Sequence, residues 1–322
     1  MQKHVYGHKQ GAGFGHTKIQ GKSLLIRGLN ALAATISTPL AAPVVAATRL
    51  RGGTAGSSRG APSFAKQAVN SARAAGCTGT LVVRADSAFY SAVFTSAVRT
   101  AGAFFSVTVQ MNSHVRAAIA RIPEGAWTPI KYPRAIWDDQ VSRWVSDAEV
   151  AETTFTAFTS TTQPITARLI VRRVKDLNRQ AAHGQDELFT AWRYHAVFTD
   201  STFVLLQAEG QHRDHAIVEQ VFADWASGPL AHLPSGSFAA NAAWLALAAI
   251  AHNLLRAAGA LASLAYAKAR GAKLRRDLID VAARTARHGR GEITLHLPEG
   301  WHREHEWMNL FEAATGPPAH AA

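Results

Sequence analysis

Apolar positions in the first third of the chain come in short runs, and the spacing within the runs changes from one to the next. Two of them, Ala31 to Ile36 and Val44 to Leu50, are separated only by a proline-bearing joint around Pro39 and Pro43, which predicts neighbouring antiparallel strands. Val5-Tyr6-Gly7 reads as the end of an earlier strand, with a glycine-rich turn from Gly11 to Gly15 behind it. The span from Pro62 to Ala75 has helical spacing and stops at Gly76, a residue suited to the left-handed position that ends helices. Thr80 to Ala85 then reads as a strand that ends at Asp86. Ser87 to Ala101 reads as a helix with Phe89, Val93, Phe94 and Val98 on one face, and Phe104 to Met111 as an alternating strand. Strands and helices taking turns in this manner predict an α/β domain.

From Trp127 to about Leu206 the texture is different. Thr, Val and aromatic residues dominate and prolines recur at Pro129, Pro133 and Pro164, so the segment reads as a β-rich insertion projecting from the core. Helical spacing returns in Asp214 to Ala226 and Phe238 to Ala267. A basic helix from Lys273 to Arg287, a strand from Glu292 to Leu297 and a helix from Glu304 to Ala314 complete the pattern. These shifts divide the chain into a first core part (1–126), the insertion (127–206), a second core part (207–267) and a C-terminal region (268–322). No internal repeat is visible.

Composition narrows the function. With 322 residues, 48% hydrophobic and 17% charged, the chain can bury a large core and is not a disordered polyelectrolyte. The formal net charge of +12 favours polyanionic partners, because each neutralised phosphate releases counterions. Charge alone does not choose between DNA, RNA and an anionic membrane. The lone Cys77 rules out an intrachain disulfide and fits a reducing cytoplasm. Met1 to Lys22 is polar and lacks the apolar centre of a signal peptide. Phe238 to Ala267 is apolar enough to invite a membrane reading, but it is mostly alanine and holds Asn241, His252, Asn253 and Arg256. It reads as a buried helix, and no membrane partner is expected.

Two stretches carry the candidate chemistry. Leu81 to Ser87 is an apolar run ending in a carboxylate, Asp86, and Gln211 to Glu219 opens a helix that carries a second, Glu219. Asp86 sits where α/β sheets place chemistry, at the carboxyl end of a strand, and equally where an N-capping residue belongs. Glu219 in a first helical turn suits the helix dipole without any catalysis. Together, in a basic chain, the two acids point to metal-assisted chemistry on a polyanion.

Other motifs weigh less. Gly11 to Lys22 imitates a phosphate loop, but five residues separate Gly15 from Gly21 where four are required. His212, His215 and Glu219 share the i, i+3, i+7 spacing of one helical face, without a cysteine or further histidine to complete a zinc site. His302-Arg303-Glu304-His305 reads as a solvated helix start. Lys268, Arg270, Lys273, Arg275 and Arg276 form a basic run that can contact phosphates or simply face solvent. Arg213, His212 and His215 are weaker candidates for the same contact.

The residues taken together resemble the insertion-sequence transposases of bacteria that carry a DDE catalytic domain of group one. Carrying the resemblance are Val5 to Gly11, Leu29 to Thr35, Val83 to Tyr90, Gln185 to Phe189, Leu233 to Leu245 and the pair His252-Asn253. It implies an α/β, RNase H-like mixed sheet with an antiparallel first hairpin, flanking helices, a β-rich insertion and a C-terminal helical region. It implies that Asp86 and Glu219 are the second and third acids of a triad holding two Mg²⁺ ions, with Mn²⁺ as a substitute, at the scissile phosphate. The first acid of the triad lies, by the same resemblance, just ahead of the position matched by Met1. Tyr, Arg and Lys, which relatives carry around the last Glu, are matched here by His212, His215 and Ala226.

The expected function is therefore DNA cleavage and strand transfer at insertion-sequence ends, with double-stranded end and target DNA as partners, a homo-oligomer on DNA, and a place in the cytoplasm at the nucleoid. With two of three acids present, cleavage by these 322 residues is expected to be poor. A non-catalytic DNA-binding remnant is the alternative, and an RNase H-like nuclease acting on host nucleic acid a third.

Overall fold

In the computed structural model the described residues are 1–19, 22–133, 136–139, 142–175, 192–289 and 291–316. They form two compact units, one made of residues 1–55 and 217–322 and the other of residues 56–216. The Gln185 to Phe189 segment lies outside the described residues.

The first unit begins with β1 (Gln2–His4), β2 (Gly13–Ile19), β3 (Lys22–Ile36) and β4 (Val44–Arg51). The long β3 organises them, pairing antiparallel with each of the other three. Gly28 of β3 pairs with His4 on one edge and Gly13 on the other, and Asn30 pairs with Gln2 and Arg51 in the same way. β2 and β4 therefore follow one another along a single edge of β3. Their junction is closed by glycines: a Cβ on Gly53 would overlap the Gly28 carbonyl oxygen and the backbone of Gly13. The expected pairing of the 31–36 and 44–50 runs is present. The 11–15 segment, read as a turn, instead runs into β2 from Gly13 onward.

The second unit holds α1 (Ala61–Ala74), β5 (Val82–Ala85), α2 (Ala92–Thr100), β6 (Phe104–Val109), α3 (Ser113–Ile119), β7 (Thr128–Pro129), β8 (Ile136–Asp138), β9 (Arg143–Val145), β10 (Ala148–Ala157), β11 (Ile165–Lys175), β12 (Trp192–Thr199) and α4 (Leu205–Arg213). Gly76 and Gly102, behind α1 and α2, have φ of +88° and +78°, the left-handed conformation that glycine adopts without a Cβ penalty. The single helix expected over 87–101 is divided. Asp86 caps a 3₁₀ turn at Ser87–Phe89 and Ser91 caps α2, its hydroxyl accepting from the Phe94 amide. That division turns Val93 outward, while Phe94 and Val98 enter the core.

A mixed sheet in the order β5-β6-β12-β11-β10-β7 spans this unit, parallel between β5 and β6 and antiparallel elsewhere. The strand character expected from Trp127 onward is present, but not its projection from the core. β10, β11 and β12 complete the sheet that β5 and β6 begin, because their inward residues are core residues. Leu169, Val171, Ala196 and Phe198 pack with Phe94, Val98, Phe105 and Val107. The first hairpin, expected in the same sheet as β5, belongs to the separate β1–β4 sheet.

The chain then completes the first unit with α5 (Ile217–Ala226), α6 (Phe238–Ala262), α7 (Leu264–Ala267), α8 (Gly271–Leu274), β13 (Arg284–Arg287), β14 (Ile293–His296) and α9 (Glu304–Thr315). Leu29, Ala31 and Val45 of the sheet pack against Val221 and Trp225 of α5 and Leu245 and Ala248 of α6. The helix expected over 238–267 ends early because Ser263, in extended conformation, stops α6 and caps α7 with its hydroxyl. The basic helix expected from Lys273 to Arg287 is not formed. α8 gives way to a π turn at Arg275–Ile279, and Arg284–Arg287 pairs with β14 as a hairpin. The class is mixed α/β, as expected.

Candidate catalytic carboxylates

Asp86 stands immediately after β5, exposed, and its Oδ1 accepts the Ala88 amide at 2.9 Å. The capping reading of this residue is thus realised. Its second carboxylate oxygen has no protein partner among the described residues, so capping leaves half of the carboxylate open to another ligand.

Two contacts fasten the end of α4 to the strand pair that leads to Asp86. Arg84, two residues before Asp86 on β5, donates to the Gln211 carbonyl. Burial lowers the pKa of its guanidinium, and Asp214 counters part of that shift. His212 is buried, with Nδ1 2.9 Å from Ser106 Oγ and Nε2 3.0 Å from Thr108 Oγ1, both on β6. These bonds hold the ring against the sheet, which corrects its expected place among the DNA-contacting residues. Arg213 is exposed and pairs with Glu209 at 2.9 Å.

Glu219 lies in the first turn of α5, exposed, and its carboxylate has no protein partner among the described residues. The helix expected to begin at Asp214 is preceded by α4, and a 3₁₀ turn at Asp214–Ala216 separates the two. His212, His215 and Glu219 therefore do not share one continuous helical face. The side chain of His215 lies outside those described.

The basic run is largely engaged inside its own unit. Arg270 pairs with Asp224 at 2.8 Å, while Lys273 and Arg276 pair with the buried Asp277 at 2.6 and 2.8 Å. Lys268 is exposed and Arg275 half-buried. The sequence reading missed the acids that collect these charges. Asp224 also receives Arg256 at 2.6 Å and the Gly271 amide. Burial opposes the charge on Asp224, and the bonds from Arg270 and Gly271 overcome it, so its pKa lies below the ordinary value. Asp277 is held well below the ordinary carboxylate range, since the bonds from Arg276, Lys273 and Tyr266 and the charge of Arg303 together outweigh its burial. In the other unit Glu209, also missed, is buried between Arg172 at 2.7 Å and Arg213. Only the i, i+4 spacings Glu209–Arg213 and Lys273–Asp277 could have signalled any of this.

For a divalent ion the donors fit in kind and fall short in number. Asp86 and Glu219 carry carboxylate oxygens, the hard donors that such an ion takes, with lone pairs not used by protein partners among the described residues. Among the described residues, however, no group of three His, Cys, Asp or Glu side chains is placed to hold a metal.

Comparison with known proteins bears on this arrangement. The family model for the transposase DDE domain, group 1, matches residues 41–315. No curated protein matches the chain.

Proposed function

The chain belongs to the group 1 DDE transposase family, and from that premise we propose that it acts on the ends of an insertion sequence, cutting DNA and joining it to a target. Asp86 and Glu219 are the acids of this chemistry. The observation that carries the assignment is the family match over residues 41–315, which includes both acids.

In this family two divalent ions supply activation of the attacking oxygen and neutralisation of the leaving one. Asp86 and Glu219 would hold them, Asp86 through the oxygen that the Ala88 amide leaves open. The partner in this reading is duplex DNA. Binding follows from the net charge of +12, through phosphate contacts that need no base readout. The protein acts in the cytoplasm, at the nucleoid.

Nicking of supercoiled plasmid with Mg²⁺ or Mn²⁺ tests this reading. The chain should retard the plasmid in a salt-sensitive way, and any metal-dependent nicking should be lost in Asp86→Ala and in Glu219→Ala. Nicking that both substitutions leave unchanged would overturn the assignment of these acids. Retardation without any nicking would favour a non-catalytic DNA-binding protein.

A further inference from the structure

β10 is paired along only part of its outer side. β11 accompanies it on the inner side in unbroken register from Ala148 to Ala157, whereas β7 reaches only Glu149 and Val150. Ahead of β7 the chain leaves the sheet through a 3₁₀ turn at Glu124–Ala126, and among the described residues no strand takes its place beside 152–157. Two bonds give the direction of the free groups. The Lys175 amide donates to the Asp147 carbonyl on the inner side, and the Ile130 amide to the Ala148 carbonyl on the outer side. Successive residues of an antiparallel strand send their backbone groups to opposite sides, so Glu152, Thr154 and Thr156 point their N–H and C=O outward. None of these groups has a protein partner among the described residues. Edges of this kind are ordinarily blunted by lysine, proline or a bulge, and 152–156 has none of them. A groove of about 640 Å³ runs between this edge and α3, with Thr153 to Thr156 on one side and His114, Ala117 and Arg121 on the other. Val115 and Ile119 hold α3 there, buried in the core with Ala151 and Ala157. His114 and Arg121 are exposed, and their side chains have no protein partner among the described residues.

We propose that the free edge of β10 is the docking site of an extended acidic segment of another protein, which adds to the sheet in line with β7. The hydrogen-bonding groups select a polypeptide. Donors and acceptors alternate along the edge, and another strand answers both in that order. The backbone of DNA offers acceptors alone and would leave the outward carbonyls of Glu152, Thr154 and Thr156 unmet. The length also fits, since a strand of about five residues, roughly 17 Å long, covers 152–156. Charge then selects among polypeptides. Side chains of an added strand stand alternately on the two faces of the sheet, and those on the α3 side come to lie beside His114 and Arg121. A carboxylate there pairs with the Arg121 guanidinium, whereas a lysine is repelled. Ala117, between His114 and Arg121 on α3, is small and leaves room for these side chains. Docking here needs neither Asp86 nor Glu219, so it stands or falls separately from the catalytic assignment.

The probe is a fluorescein-labelled peptide of alternating threonine and glutamate, blocked at both ends and followed by anisotropy at physiological salt. The full chain should bind it, and should bind the same peptide with lysine in place of glutamate far less. Methylating every second backbone amide of the peptide keeps its charge and removes its donors along one edge. Of the two possible settings, the one that faces β10 should weaken binding roughly tenfold or more. Thr154→Pro removes the outward amide, a change that edge strands tolerate, and Arg121→Glu reverses the charge of the groove. Each should weaken binding by a similar factor with unchanged circular dichroism. The proposal is overturned by absence of binding at millimolar chain, by equal binding of the lysine peptide, or by parent-like binding of both methylated peptides. Should either variant fail to fold, the peptide series alone decides. A dimer of the chain that Thr154→Pro dissociates would assign the edge to a second copy instead, and displacement of the peptide by a short DNA duplex would assign the groove to DNA.

Discussion

The pair His252-Asn253, one of the marks of the family resemblance in the sequence, is engaged in holding α6 to β4 and the segment before it. Asn253 uses both ends of its amide on β4, accepting from the Val45 amide at 2.7 Å and donating to the Val45 carbonyl at 2.9 Å. His252 donates through Nε2 to the Pro43 carbonyl at 3.1 Å, which fixes the tautomer because a carbonyl can only accept. Burial lowers the pKa of His252 below its ordinary 6.5, so the folded unit prefers the neutral ring. The stability this contributes is complete above about pH 6.5 and is lost as the pH falls through that value toward the folded pKa. Urea unfolding of the first unit should therefore occur at lower denaturant at pH 5 than at pH 7, and His252→Gln should flatten that difference. Asp224 follows the same sign at lower pH, its contribution present above about 3.8 and lost below. Asp224→Ala strands the buried Arg256, a change that costs about 3–5 kcal/mol for fully buried pairs. Half-exposed Arg270 screens part of the site, so a loss of about 2–3 kcal/mol is expected in the same unfolding experiment.

At the scale of elements, the sequence was most legible where one local rule decided the outcome. The helix before Gly76, the strand before Asp86 and the β3–β4 pair all stand as read, because a glycine stop, a strand-end carboxylate and a proline joint each act over a few residues. The readings that failed depended on competition between such rules. Two caps in succession, Asp86 and Ser91, divide a segment whose apolar spacing suggests one helix. In the basic run, Asp277 gathers Lys273, Arg276 and Arg303 around itself, and what reads as a long charged helix becomes a compact turn. The glycine junction of the first sheet was not legible, since Gly13, Gly28 and Gly53 are far apart in sequence. Gly53→Ala should be among the most damaging single substitutions in that unit. Its methyl group would meet backbone atoms, which cannot rotate away, and a loss of about 3 kcal/mol or more is expected by thermal unfolding. Gly56→Ala, where a Cβ meets open space, is the control and should cost far less.

For the whole molecule, the family was legible because its quoted blocks also hold the fold together. Gly236 accepts from the Gln10 amide, and Asn241 binds both the amide and the carbonyl of Ser235. Part of the family resemblance is thus written in residues that build the first unit. The acids were visible only as a strand-end Asp and a first-turn Glu, each with an ordinary capping or dipole role. The sheet membership of the 127–206 strands was hidden because pairing partners such as Phe198 and Val107 are far apart in sequence. The claim that matters most is that Asp86 and Glu219 are ligands to the same ions. Its most direct test is Mn²⁺ binding, followed by the paramagnetic signal of the free ion, to the parent chain, Asp86→Ala, Glu219→Ala and the double variant. If the two carboxylates share a site, each single substitution should weaken binding at least tenfold, and the double variant should be little worse than either one. Affinity unchanged by both single substitutions, or losses that simply add, would contradict the assignment.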